Sequence, residues 1–529
     1  MRGATFALVA LLAGCAPPEG LRSLPQPTRG VLILSISGLR ADAVSPRSAP
    51  FLSQLADRGL TYQWAVVPGA STLATQSSLA TGLHPGELGI DHILLRPSPE
   101  IEMLAERFAR FGFATGGFTE GGFVSRAWGF ERGFDEFSDP TSSAPDATSR
   151  SLERSLAFLD RLPDEQRFLL FVHTAALAPP WVEDAAFAEL RQGRADLAAD
   201  GAAPHREAYE TALARLDGEI RAYFAKLEQR GLLTETTVAV LGDHGEEFLE
   251  HGRLGHDQLY PEVTRVPLIV LHPDAPAQRV DRLVRTTDLM PTLSLLAGLP
   301  PSLGLVGGFL PTPLRALVDP PATIAWAETF GAVLQRSVWL EVPGEVPGTP
   351  ELYQLVETRV EGERDGTWVN RRVAFDVEIP AEAEGLTLRL VSFAEERALE
   401  VSVDGEPGDE ILVPRSWRTV LVPMSTGAHR VELATSACSV PAELQMGEDP
   451  RCLSFKVEQP PLRRLELFDL TNDPAALDDL SARRPELRAR LERLLTTIPA
   501  RPVARPERLQ RSLSIKAHLN SLGYLDWGP

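Results

Sequence analysis

The chain has 529 residues, more than one compact core usually holds, so two or three domains are expected. Its hydrophobic share of 43% and charged share of 23% are ordinary for a folded, soluble protein. The formal net charge of −20 argues against nucleic acid as a partner and against electrostatic attraction to anionic lipid.

Residues 1–15 read as an export signal rather than structure. Arg2 supplies the charge and Phe6 to Leu12 the apolar run. Leu12-Ala13-Gly14-Cys15 places small residues before a cysteine, which fits cleavage before Cys15 and lipid on its sulfur. An ordinary secretory signal with an incidental cysteine is the alternative. Residues 16–29, rich in Pro and Gly, would be a tether. The expected location is the bacterial cell envelope, membrane-anchored and facing the periplasm or exterior. No other stretch is long and apolar enough to span a bilayer.

Residues 30–355 read as α/β. Val31 to Ile36 is a near-continuous apolar run, the signature of a parallel strand covered on both faces. Helical patterns follow over 50–59 and 101–111, and a loop enters a helix over 71–83. Strands are expected at 114–118, 167–173 and 267–271. Arg206 to Gln229 carries Tyr209, Leu213, Leu216, Ile220 and Phe224 on one face, which predicts a long helix. Strands alternating with helices imply a doubly wound, mostly parallel sheet. Val238 to Glu247 reads as a buried strand that delivers Asp243 and His244 at its carboxyl end. Ligands sit at such ends in open α/β sheets, and an oxygen donor beside a nitrogen donor suits a divalent cation.

From 356 to 460 the pattern changes to alternating apolar and polar residues, as in Val373–Ile379 and Leu386–Val391. An antiparallel β-sandwich of jelly-roll type is expected. Cys438 and Cys452 are most simply a disulfide in an exported chain; a metal site there lacks nearby histidines. Residues 461–529 read as a small C-terminal subdomain, with a strand and turn over 465–474 and a helix over 485–496.

Several collinear stretches resemble the sulfatase family of the alkaline-phosphatase superfamily. Val31–Asp42 is similar to its opening V-L-x-x-I-D-T-L-R-A-D. Thr72-Leu-Ala-Thr-Gln-Ser-Ser-Leu-Ala-Thr-Gly82 is similar to C/S/T-x-P-S-R/H-A-S-L-L-T-G. Trp128–Asp135 resembles G-F-x-x-G-F-D, and Gly242–Gly252 with Gly255-His256 resembles S-D-H-G-E-E-F-x-E-H-G…G-H. The β-sandwich lies outside the resemblance and reads as an insertion.

The resemblance implies a hydrolase or transferase acting on sulfate or phosphate esters, with one divalent cation, usually calcium. It places the nucleophile at Thr72, cation ligands at Asp243, His244 and Ser37, and catalytic histidines at His173 and His256. Gln76 and His251 would contact substrate. The partner would be an anionic ester or a glycan.

The motifs also depart from the family's pattern. Thr72 replaces a Cys or Ser that becomes formylglycine; threonine is the nucleophile in phosphodiesterase and phosphotransferase relatives. Ser37 stands where a carboxylate ligand is usual, Gln76 where a cation is usual, and Ala176 and Ala178 where an acid and a histidine are usual. Losing an anionic ligand weakens hard-cation binding unless Asp42 or Asp91 compensates. Two further readings follow: a degenerate relative that binds a glycan or partner without turnover, and a lipid-anchored scaffold. In these, Thr72 caps a helix, His173 is a core histidine, and the cation is lost.

Overall fold

Each central strand is apolar in both phases, so each contributes to two cores. Val31 and Ile33 join Leu169, Phe171, Ala239 and Leu241 on one face. Leu32, Leu34 and Ile36 join Leu170, Val172 and Val240 on the other. Burying one such Leu or Ile removes it from water at a gain of about 1.5–3 kcal/mol, and that gain applies on both sides of the sheet. A computed structural model describes residues 26–140, 146–178, 202–300, 324–329, 333–343, 350–360, 368–369, 372–379, 385–416, 418–439, 454–458, 462–498 and 502–509. Cys15, the signal segment and most of the tether lie outside the described residues.

Among the described residues the main sheet has eight strands. Their order is Gln278–Arg285, Leu60–Val66, Arg265–Leu271, Thr236–Gly242, Gly30–Ile36, Phe168–Thr174, Ala114–Phe118 and Glu136–Ser138. Gly30–Ile36 pairs in parallel with both central neighbours. Arg265–Leu271 alone runs antiparallel, against Leu60–Val66 and Thr236–Gly242. Long helix Ala203–Gln229 packs Tyr209, Leu213, Leu216 and Ile220 onto one face. Helix Thr72–Thr81 lies on the other face and is buried almost all round, so its sequence shows no polar stripe. It stops at Gly82, which adopts the left-handed conformation at φ 72°.

The expected doubly wound α/β fold is thus present, with two additions. A second sheet orders Ile324–Glu328, Val333–Pro343, Pro350–Val360 and Leu462–Asp469 antiparallel. Helix Pro485–Leu495 covers one face through Leu491 and Leu495. The other face meets the main domain through Trp339, Val356 and Phe468 against Val66 and Leu283. This differs from the expected boundary. Tyr353–Val360 pairs with Leu462–Asp469 across that boundary, and Ile324–Glu328 and Val333–Pro343 join the same sheet through Pro350–Val360 rather than the α/β sheet.

The β-sandwich is inserted between two neighbouring strands of this second sheet, Pro350–Val360 and Leu462–Asp469. Among the described residues it has eight strands in two four-stranded antiparallel sheets. Numbered along the insertion, the orders are 1-8-3-6 and 2-7-4-5, the interleaving of a jelly roll. Leu388, Leu390, Leu399, Val431, Leu433 and Phe455 fill its core. Cys438 is disulfide-bonded; its expected partner, Cys452, lies outside the described residues. No helix among the described residues is long and apolar enough to cross a membrane.

Candidate active site

Three chain segments deliver polar side chains to the carboxyl edge of the main sheet. Strand Gly30–Ile36 ends in Ser37, whose backbone N–H donates to the Thr174 carbonyl at 2.9 Å. Gly38 then turns the chain at φ 76°, a region that disfavours any side chain. Strand Thr236–Gly242 ends in Asp243 and His244. Thr72 opens the buried helix. Ser71, not Thr72, is the helix cap: its Oγ accepts from Ala74 N. The helix-cap reading of Thr72 is therefore corrected, and its hydroxyl is available to the pocket.

The three segments meet at one point. Ser37 Oγ lies 3.3 Å from Thr72 Oγ1 and 3.3 Å from His244 Nε2. Thr72 Oγ1 lies 3.2 Å from His244 Nε2. His244 Nδ1 donates to the Gly245 carbonyl at 2.8 Å, so in the neutral ring Nε2 turns a lone pair toward both hydroxyls. Asp243 stands beside them, with Oδ1 3.6 Å from His244 Nε2. Its Oδ1 accepts from Gly38 N at 3.3 Å, and its Oδ2 from Gln76 Nε2 at 3.4 Å.

Beneath this point lies a buried polar stack. Gln76 Nε2 donates to Ser35 Oγ at 2.6 Å and sits 3.2 Å from His173 Nδ1. His173 Nδ1 is also 3.3 Å from Ser35 Oγ. Burial pushes His173 down to about 4, despite the charge of Asp243, so it is neutral at physiological pH. Ser35 was not singled out from the sequence. The available signal was a hydroxyl in the middle of an apolar strand.

A second histidine borders His244. His256 packs against it with ring centroids 4.2 Å apart, and His256 Nδ1 donates to Glu246 Oε1 at 2.9 Å. Burial opposes charge on His256, but the neighbouring Glu246 carboxylate outweighs it and raises the ring to about 9. Glu246 is fully buried, and its Oε2 has no hydrogen-bond partner among the described residues. Sequence reasoning missed Glu246, although it stands within the Asp-His-Gly-Glu-Glu run. His244, Glu246 and His256 place ligand-capable atoms within 4.8 Å of one another.

Two other residues lie elsewhere than expected. Asp42 does not reach Asp243; it binds Arg40 at 2.8 Å through both oxygens. His251 has both ring nitrogens engaged away from Thr72, with Glu262 and with the Ala476 carbonyl.

The donor set can be tested against a divalent cation. Edges of 3.2–3.3 Å between Ser37, Thr72 and His244 match neighbouring ligands at bonds of about 2.0–2.4 Å. One carboxylate, one imidazole and two hydroxyls make a mixed set, with the orphan Glu246 oxygen nearby. Such a set suits a borderline cation better than one needing several carboxylates.

The family model described as Sulfatase matches residues 34–299, just over half of the chain. Arylsulfatase K of Xenopus laevis is 32% identical over 94 residues, which is 18% of this chain and 18% of that protein. The chain thus covers well under two thirds of that relative. Among solved structures, a 2-O GAG sulfatase superimposes with a TM-score of 0.57 at 15% identity, over 89% of this chain and 91% of that one. The phosphonate monoester hydrolase of Agrobacterium radiobacter gives 0.55 at 15% identity, over 89% and 95%. At these identities the two structures share the fold.

Proposed function

Because the chain belongs to the sulfatase family, we propose that it cleaves or transfers sulfate or phosphate esters at the Thr72 pocket. One observation carries this reading: hydroxyls from two segments and an imidazole from a third converge within 3.3 Å at the carboxyl edge of the sheet. Ser37, Asp243 and His244 would hold one divalent cation. When bound, it supplies charge stabilisation to the ester oxygens and acidifies a neighbouring hydroxyl. It also offsets the Asp243 and Glu246 carboxylates, which otherwise repel an anionic ester.

Thr72 Oγ1, its proton released to solvent, forms a bond to the sulfur or phosphorus as the bond to the departing oxygen breaks. His256, held by Glu246, gives its proton to that oxygen. Water or a second alcohol then bonds to the group as its bond to Thr72 Oγ1 breaks, and the attacking oxygen's proton returns to His256. Gln76, Ser35 and His173 orient Asp243 from below rather than touching substrate. The mixed donor set favours a cation such as manganese or zinc over calcium. A sulfated glycan is the natural substrate class, since one fold neighbour is named as a GAG sulfatase. The jelly roll would contact the rest of such a chain, and lipid on Cys15 would hold the protein in the cell envelope.

A second reading has its own support. Both Asp243 oxygens already accept hydrogen bonds within the protein, so the carboxylate has partners without a cation. That favours a pocket that binds an anionic glycan and does not turn it over. A panel of chromogenic sulfate, phosphate monoester and phosphate diester substrates separates the two. Turnover that chelator suppresses and added cation restores supports the first. A cation-independent, inert pocket that still retains sulfated glycan supports the second.

A further inference from the structure

We infer that His251 is a positioning residue that keys the pocket loop, residues 244–260, to the C-terminal sheet, so that this sheet is a working part of the site. The inference rests on the reading above for what the loop does, but not for how the loop is held.

The loop carries His244, Glu246 and His256. Its far limb is gripped by side chains from the second sheet. Leu259 N donates to Gln335 Oε1 at 2.8 Å, and Leu259 O accepts from Gln354 Nε2 at 2.7 Å. Tyr260 OH donates to Glu466 Oε2 at 2.6 Å. Gln335, Gln354 and Glu466 are buried polar residues on a sheet face that otherwise packs as core. Buried polar groups are retained where their bonds specify an arrangement, because leaving one unmade costs about 1–3 kcal/mol.

His251 joins this grip to the near limb. Its ring stacks on Tyr260 at 3.6 Å and 4°. Nδ1 bonds Glu262 Oε1 at 2.6 Å, and Nε2 bonds the Ala476 carbonyl at 2.9 Å. Ala476 sits at φ 54°, unusual for a residue with a side chain. The turn after strand Leu462–Asp469 therefore accepts backbone strain where its carbonyl meets the histidine. Glu262 leads back to the pocket. Gly245 N donates to Val263 O at 2.8 Å, and the Glu262 carbonyl packs directly against Gly245. The path from Ala476 to His244 is contiguous, through hydrogen bonds, adjacent residues of the chain and the packing of the Glu262 carbonyl on Gly245.

The test uses the full chain and two variants, His251→Ala and Tyr260→Phe. Amide hydrogen exchange is followed well below the unfolding temperature. We expect exchange over 244–258 to accelerate at least tenfold, while strands Gly30–Ile36 and Thr236–Gly242 stay protected. In turnover, kcat should fall tenfold or more with KM nearly unchanged, because His251 does not touch substrate. His251→Gln, which keeps one donor, should recover part of both.

Unchanged exchange over 244–258 overturns the inference, as does an opened loop with unchanged kcat. If His251→Ala unfolds the whole sheet, the milder Tyr260→Phe decides by the same criteria. An opened loop in a protein with no ester turnover at all leaves the keying standing and removes the catalytic reading instead.

Discussion

Thr72 Oγ1 and His244 Nε2 lie 3.2 Å apart although 172 positions separate them in the chain. One opens a buried helix and the other follows a buried strand. Ser71 takes the capping duty that would otherwise occupy Thr72. The Gly245 carbonyl fixes the His244 proton on Nδ1. Together these arrangements leave a hydroxyl and a lone pair facing each other.

Ser37 is the weakest point of the donor set, being neutral where a carboxylate is usual. Ser37→Asp adds a charge beside Asp243 and should strengthen divalent-cation binding by one to two orders of magnitude. Calorimetric titration with manganese and with calcium reads this directly. The gain should be larger for calcium, the harder ion. Equal affinities for wild type and variant would place the cation away from Ser37.

Gly245 has no room for a side chain. A Cβ there would collide with the Glu262 carbonyl, which is backbone and cannot swing away. Gly245→Ala should destabilise by about 1–3 kcal/mol, the usual cost of overpacking. It should also cut turnover more than its melting temperature implies, since the displaced segment carries His244. Denaturant unfolding and kinetics on the same preparation check this.

His251 gives the stability a pH signature. Burial alone would lower its pKa; the Glu262 carboxylate and the Ala476 carbonyl outweigh burial and raise it. Stability from a raised histidine is fully present below the unfolded value of about 6.5 and lost as pH rises through the folded value. The gap in melting temperature between wild type and His251→Gln should thus be widest below about pH 6.5 and narrow as the pH rises above it. A constant gap would show that the ring acts by packing alone.

Cys15 and the other two cysteines make separable expectations. Cys15→Ser should move the protein from the membrane fraction to the soluble one. Unfolded, unreduced protein should show no free thiol at Cys438 or Cys452. Retention of the Cys15 variant on membranes would point to a different anchor.

Much of the fold was legible in the sequence. The run Val31–Ile36 is apolar in both phases because its strand is covered on both faces, and Phe168–Val172 repeats that pattern. Local periodicity reports such burial well. Pairing between distant strands leaves no local trace. Pro350–Val360 alternates like a sandwich strand, and only its register with Leu462–Asp469, about a hundred residues on, assigns it to the C-terminal sheet. The site divides in the same way. Asp243 and His244 were found by their position at a strand end, and Ser37 through the family resemblance. Ser35 and Glu246 were missed because their roles depend on what lies beneath the pocket. His251 looked like a pocket residue until Ala476, 225 positions away, claimed its second nitrogen.

Thr72 decides the central claim. Thr72→Ala and Thr72→Ser should be compared with wild type on the sulfate and phosphate ester panel, with cation removed and restored. Removing the hydroxyl should cost at least about a thousandfold in kcat/KM with little change in melting temperature, whereas serine should keep turnover within roughly tenfold. Turnover by Thr72→Ala at the wild-type rate, or none by wild type on any ester with cation supplied, would contradict a Thr72-centred reaction.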